Sequence, residues 1–135
     1  MSYDLAVFDP DVAPRSRAQF RSWFDEQTQW GESHGYDDPE IPVSALKNWF
    51  REMITSFPPM NGPLRSTNSD DPRVTDYSLG RNIIYGAFAG SVGTAAYHTA
   101  FELAQKHRVG LYNVSDEPSD IWVPGPSGNF TKVVG

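Results

Sequence analysis

The apolar residues between Leu46 and Phe57 recur at the spacing of an α-helix, and this pattern constrains the fold more than any other part of the chain. Leu46, Trp49, Phe50, Met53, Ile54 and Phe57 stand at positions i, i+3, i+4, i+7, i+8 and i+11. Such a continuous stripe is typical of a helix that packs one face on the core. Pro58-Pro59 ends the helix, because proline lacks the amide hydrogen that helical bonding needs.

Shorter patterns on both sides of this helix predict a sheet and two further helices. The predicted strands are residues 3–8, 74–79, 82–89 and 109–114, with a short edge piece at 121–123. The predicted additional helices begin at Ser16 and at Ser91. The order is β-α-α-β-β-α-β, which becomes the ferredoxin-like split βαβ order when one of the adjacent helices is removed. We therefore expect an α+β, single-domain ferredoxin-like sandwich with a four-stranded, mainly antiparallel sheet and its helices on one face.

The length of 135 residues favours one domain, which we predict to span residues 1–123. Residues 124–135 are rich in Pro, Gly, Ser and Asn and are predicted to form a loosely ordered tail. Residues 58–73 consist mostly of turn-forming residues and make an unusually long connection, of the kind that is often functional.

Composition narrows the class of protein. The chain has no cysteine, which excludes disulfides and thiolate chemistry, and it has no apolar run of membrane-spanning length. Without a basic, apolar leader at its start, it is expected to be cytoplasmic. Its net charge is −6 with only 11 scattered lysines and arginines, so it lacks the basic stripe of a nucleic-acid binder.

The segment from Asp25 to Glu40 has an unusual composition. It reads DEQTQWGESHGYDDPE, with six acids and no lysine or arginine, and it includes Trp30, His34 and Tyr36. Aromatic rings supply contact area, while carboxylates attract basic partners and repel anionic ones. We call residues 25–40 the acidic segment and interpret it as a docking surface, with a solvated charge run as the alternative.

The sequence carries no recognisable catalytic or metal-binding motif. His34, Asp37 and Asp38 have ligand chemistry, but H-x-x-D-D without a second histidine matches no familiar metal site. The glycine-rich segment 86–93 precedes a predicted helix, yet it is neither a dinucleotide nor a P-loop motif and has no lysine nearby. We therefore predict no catalytic residues, no metal and no cofactor.

Several segments together resemble a family of small, largely uncharacterised bacterial proteins. They are, in order, MSYDLAVFDP, EQTQW, HGYDDP, FPPMNGP and VTDYSLGRNIIYGAFA, so the likeness covers about residues 1–123. Proteins of this type are similar to immunity proteins of polymorphic toxin systems, including those delivered by type VI secretion. The resemblance implies a protein that binds and inhibits a cognate toxin domain, and it carries over no catalytic residue.

Our first hypothesis is thus an immunity protein that occludes a toxin active site with acidic and aromatic loops. The predicted partner-binding residues are Trp30, His34, Tyr36, Asp37, Asp38 and Glu40, followed by Asp70, Asp71 and Asp76. A second hypothesis is a small enzyme or ligand-binding domain with a pocket under the 58–73 loop, using His34, Asp76 and Tyr77. A third is a scaffold that forms a homodimer through an open sheet face bearing tyrosines.

Overall fold

The computed structural model describes residues 2–68, 70–116 and 119–133. In this part of the chain three α-helices accompany six strands. The elements are β1 (Ser2–Phe8), α1 (Arg17–Gln27), α2 (Ser44–Ser56), β2 (Asp76–Leu79), β3 (Ile83–Ala89), a 3₁₀ turn (Gly90–Val92), α3 (Gly93–His107), β4 (Gly110–Tyr112), β5 (Ile121–Pro124) and β6 (Phe130–Lys132). None of the described helices combines the length and the apolar character that crossing a membrane requires.

The strands form one antiparallel sheet in the order β2-β3-β1-β4-β5-β6. β1 lies inside the sheet, where Val7 is opposite Ile84 of β3 on one side and Leu111 of β4 on the other. Four consecutive residues of β1, from Leu5 to Phe8, are buried. Because successive side chains of a strand point to opposite faces, burial of all four requires a cover on both faces.

One face of the sheet carries α2 and α3. Leu5 and Val7 belong to the same core cluster as the α2 stripe and the buried alanines of α3. The Trp49 indole N–H donates to the Ala100 carbonyl at 3.2 Å, which ties the two helices together. The α2 stripe predicted from the sequence therefore forms the centre of the larger core.

The other face carries α1. Ala6 and Phe8 of β1 belong to a second cluster with Phe20 and Phe24 of α1. The rings of Phe8 and Phe20 are 4.8 Å apart, and Phe24 meets Tyr112 edge to face at 4.7 Å. The sheet is thus the middle layer of three.

Two parts of the predicted fold are wrong. The sheet has six strands rather than four, and the helices cover both faces rather than one. The α+β class and the antiparallel sheet are confirmed, whereas the ferredoxin-like arrangement predicted for the domain is not confirmed. Since α1 occupies the second face, that face is not open for the homodimer of the third hypothesis: Tyr112 is buried beneath α1.

The predicted boundary at residue 123 and the loosely ordered tail also need correction. β6 pairs with β5, Phe130 being opposite Pro124 and Lys132 opposite Trp122. The Phe130 ring packs on Phe101 of α3 at 5.0 Å. Residues 124–133 are therefore part of the domain, and residues 134–135 lie outside the described residues.

A substitution at Gly110 tests how tightly the Phe8 ring is packed in the core beneath α1. It stands opposite Phe8, and a Cβ at Gly110 would lie 2.2 Å from two ring carbons of Phe8. We expect Gly110→Ala to lower the free energy of unfolding by about 1–3 kcal/mol through overpacking, measured by urea denaturation. When Phe8 is already replaced by leucine, Gly110→Ala should lower the free energy of unfolding by less. If the effects of the two substitutions on that free energy were strictly additive, this explanation would be contradicted.

Candidate functional site

The acidic segment leaves α1 through a residue with unusual backbone geometry. Trp30 has a φ of 54°, in the left-handed region that bulky residues seldom adopt. Its amide donates to the Gln27 carbonyl, and its ring meets Tyr36 edge to face at 4.9 Å. This conformation turns the chain sharply at the end of α1 and fixes the direction of the indole.

A hydrogen-bond network centred on Glu32 organises the next residues. The Tyr36 hydroxyl oxygen accepts from the Glu32 amide at 2.7 Å. Oε1 of Glu32 lies 2.5 Å from Nε2 of His34 and accepts from the Arg81 amide at 3.2 Å. Glu32 therefore connects its own loop to the β2–β3 turn.

The backbone adds two further attachments. The Leu79 amide at the end of β2 donates to the Tyr36 carbonyl at 2.8 Å, and the Val43 amide donates to the Arg81 carbonyl at 3.0 Å. β2 is an edge strand, so the Tyr36 bond occupies a backbone donor that an edge leaves free. The loop between α1 and α2 is consequently held against the sheet at several points.

The surroundings of His34 in this loop favour its protonated form. The Gly35 carbonyl, 2.8 Å from Nδ1, and then the Glu32 carboxylate raise the pKa of His34 above its usual value. Both ring nitrogens thus have partners within the loop, which favours a structural role for this histidine.

The remaining acids of the loop face solvent. Asp37, Asp38 and Glu40 are exposed. Asp38 Oδ1 accepts from the Glu40 amide at 2.9 Å, and Glu40 lies 3.4 Å from the Lys47 ammonium. Exposed pairs of this kind contribute little to stability, so these carboxylates are available to a partner.

The long loop after α2 lies beside these acids. A Cβ at Gly62 would lie 2.5 Å from the Asp37 carbonyl, and the φ of Gly62 is 87°. Asn61 Nδ2 donates to Asp76 Oδ1 at 3.2 Å, which ties the loop to β2 as well. The two loops and β2 form the walls of an open surface depression of about 410 Å³, and Asp37 and Asp76 both line it.

Two exposed apolar residues of this long loop were not predicted from the sequence. Met60 is 50% exposed and Leu64 is 48% exposed. The Ser66 amide donates to the Pro59 carbonyl at 2.8 Å and closes the loop at its base. The sequence feature that could have predicted these two residues is the presence of a methionine and a leucine in a run of turn-forming residues.

Two of the predicted site residues take part in other local structure. Asp71 Oδ1 accepts from the Arg73 amide at 2.9 Å, and the Arg73 guanidinium lies over the Phe57 ring at the end of α2. Asp70 is exposed in the same turn. Of the predicted residues, Trp30 and His34 both contact the Tyr36 ring directly. Asp37 and Asp76 line one depression together with Tyr36, and Asp70 and Asp71 lie in a separate turn.

The residues of the ligand-binding hypothesis do not converge on one cavity. Asp76 and Tyr77 line the 410 Å³ depression, whereas His34 lines another with Glu40 and Arg81. Tyr77 is buried, and its hydroxyl donates to the Phe57 carbonyl at 2.7 Å. Within residues 2–68, 70–116 and 119–133, no three His, Asp or Glu side chains are grouped so that they could hold a metal ion.

Comparisons with protein-family models, curated proteins and solved structures find no match to this chain. A function must therefore be inferred from the geometry of residues 30–40, which we call the acidic loop, and of the residues around them.

The Glu32–His34 contact can be tested by titration. Because the folded-state pKa of His34 is raised, its contribution to stability is complete below the unfolded pKa of about 6.5 and is lost as the pH rises through the folded value. We expect the NMR titration of His34 to shift to lower pH in Glu32→Gln and to stay unchanged in Glu40→Gln. An unchanged titration in Glu32→Gln would contradict the contact.

The contact between the two loops is tested at Gly62. Gly62→Ala requires a left-handed alanine and a clash with the Asp37 carbonyl, so we expect it to destabilise the protein by about 1–3 kcal/mol. Gly31→Ala is the matched control, because a Cβ there meets nothing within 4 Å. Equal thermal-denaturation midpoints for the two variants would show that the loops are not in contact.

Proposed function

We propose that this chain is an immunity protein that binds a cognate bacterial toxin domain and blocks its active site. The contact surface in this proposal is the acidic loop, residues 30–40, with the adjacent 60–65 part of the long loop and Asp76. Toxin sites that act on nucleotides or nucleic acids must hold anionic substrates and are therefore basic. A surface of opposite charge is suited to fill such a site. The protein would act in the cytoplasm, where its toxin would otherwise act.

The observation that carries the proposal is the attachment of an exposed acidic loop to the sheet. Asp37 and Asp38 follow Tyr36 directly, and the Tyr36 carbonyl is bonded to the Leu79 amide. Carboxylates on a preorganised loop lose little conformational freedom when a partner binds, which favours affinity. A merely solvated acid run has no need of such attachments.

The apolar tips of the neighbouring loop support the same proposal. Met60 and Leu64 are each about half exposed. They adjoin Asn61 and Arg65 in the chain, which line the same depression as Asp37 and Asp76. Protein interfaces commonly combine apolar anchors with a charged rim. The combination favours a macromolecular partner over a purely ionic contact.

Charge reversal in the acidic loop tests the proposal. The proposal predicts that a neighbouring gene encodes a large secreted protein with a variable C-terminal toxin domain. That domain is the probe, and binding is measured by biolayer interferometry at low and high salt. We expect Asp37→Lys/Asp38→Lys to slow association by about tenfold or more at low salt and to reduce the salt dependence, because exposed interface charges act mainly on association.

The control variant is Asp11→Lys/Glu102→Lys, which makes the same change in net charge at exposed positions of the β1–α1 loop and α3. The control should bind as the parent protein does. Unchanged binding by the Asp37/Asp38 variant, or an equal loss in both variants, would refute the acidic-loop interface.

A further inference from the structure

A third cavity lies next to the acidic loop, on the face of the sheet that α1 covers. It has a volume of about 360 Å³, and we call it the aromatic groove. Its lining residues include Phe24, Trp30, Asp76, Tyr85, Ala87 and Val114. The floor comes from β2 and β3, where Ser78 is opposite Tyr85 and Asp76 is opposite Ala87.

Three aromatic rings form the walls of the groove. The Tyr85 ring lies 6.3 Å from Phe24 and 6.5 Å from Trp30, the latter at 89°. The faces of such rings are electron-rich and attract cations. The volume is at the small end of the range of about 300–1,000 Å³ for ligand sites, which suits one group of side-chain size.

Carboxylates supply negative charge at the rim and beside the floor. Asp76 is exposed at the rim, with Oδ1 held by Asn61. Asp4 stands opposite Ala87, and its Oδ2 accepts from the Tyr85 hydroxyl at 2.5 Å. Its Oδ1 is buried and has no hydrogen-bond partner among the described residues.

Among the residues that the structure describes, no lysine, arginine or histidine belongs to the lining of the groove. Burial, and then the hydrogen bond to Asp4, raises the pKa of Tyr85, so its hydroxyl remains a donor to Asp4 at neutral pH. The electrostatic character of the groove is therefore negative, and its complement is a cation with an apolar or planar body.

We propose that the aromatic groove receives the side chain of an arginine from the protein partner. The proposal rests on the proposed function, since it assigns one anchor of the same interface. A guanidinium is planar, stacks on aromatic faces and donates several hydrogen bonds, so it suits rings flanked by a carboxylate better than an ammonium does.

The groove is continuous with the acidic loop through two residues. Trp30 lines the groove and also packs on Tyr36, while Asp76 lines both the groove and the depression beside Asp37. A partner on the acidic loop therefore has the groove within the same contact area. The acidic loop would attract the partner, and the groove would fix the position of one of its arginine side chains.

The experiment uses the intact protein and two peptides, acetyl-Gly-Arg-Gly-amide and its citrulline analogue, which has nearly the same shape without the charge. Binding is followed by NMR shifts of the amides of Trp30, Tyr85, Ala87 and Val114. We expect the arginine peptide to shift these signals in a saturable manner and the citrulline peptide to bind at least about tenfold more weakly. Asp76→Asn should weaken arginine binding by about fivefold or more, since it removes the rim charge.

Asp11→Asn is the matched control and should leave peptide binding unchanged. Equal binding of the two peptides, no saturable shift, or shifts confined to residues outside the groove would overturn the proposal. A small amine retained through purification and seen by native mass spectrometry would assign the groove to a metabolite and overturn the docking assignment. Failure of the peptides while the toxin still binds through Asp37 and Asp38 would reject the groove and leave the proposed function standing.

Discussion

The burial of β1 on both faces is the constraint on which the rest of the structure depends. Leu5 and Val7 join the core under α2 and α3, while Ala6 and Phe8 join the core under α1. A strand of this kind needs two complete layers, because either face alone would leave large apolar side chains in water. The position of α1 follows from this need, and with it the point at which the acidic segment leaves the helix.

Hydrogen bonds to the sheet determine the shape of the acidic loop. Leu79 and Arg81, which hold the loop, belong to the end of β2 and the turn after it, and β2 is held in turn by β3. Local backbone bonds therefore place Asp37 and Asp38, and the placement does not depend on a partner. In the proposed interface the cost of ordering the loop is met during folding rather than during binding.

Part of this architecture could be predicted from the sequence. The α2 stripe and the β2–β3 hairpin have strong local patterns, and the structure confirms both. The side of the sheet that α1 takes could not be predicted, because Phe20 and Phe24 show only that α1 has an apolar face. β6 is short and lies in a segment rich in glycine and proline, so its pairing with β5 depends on tertiary contacts such as Phe130 with Phe101. Likewise, composition drew attention to Tyr36 and Asp37, whereas their contacts with Leu79 and Gly62 are long-range and leave no local signal.

The bond between Tyr36 and Leu79 has a consequence for self-association. β2 is a four-residue strand at the border of the sheet, and such a border is a template for another chain to add a strand. The Tyr36 carbonyl already occupies one of its donors, and Asp37 and Asp38 follow directly along the chain. Two copies that approached each other along this border would bring like charges together. The segment proposed to attract a foreign protein would therefore also disfavour the pairing of two copies of the molecule at this edge.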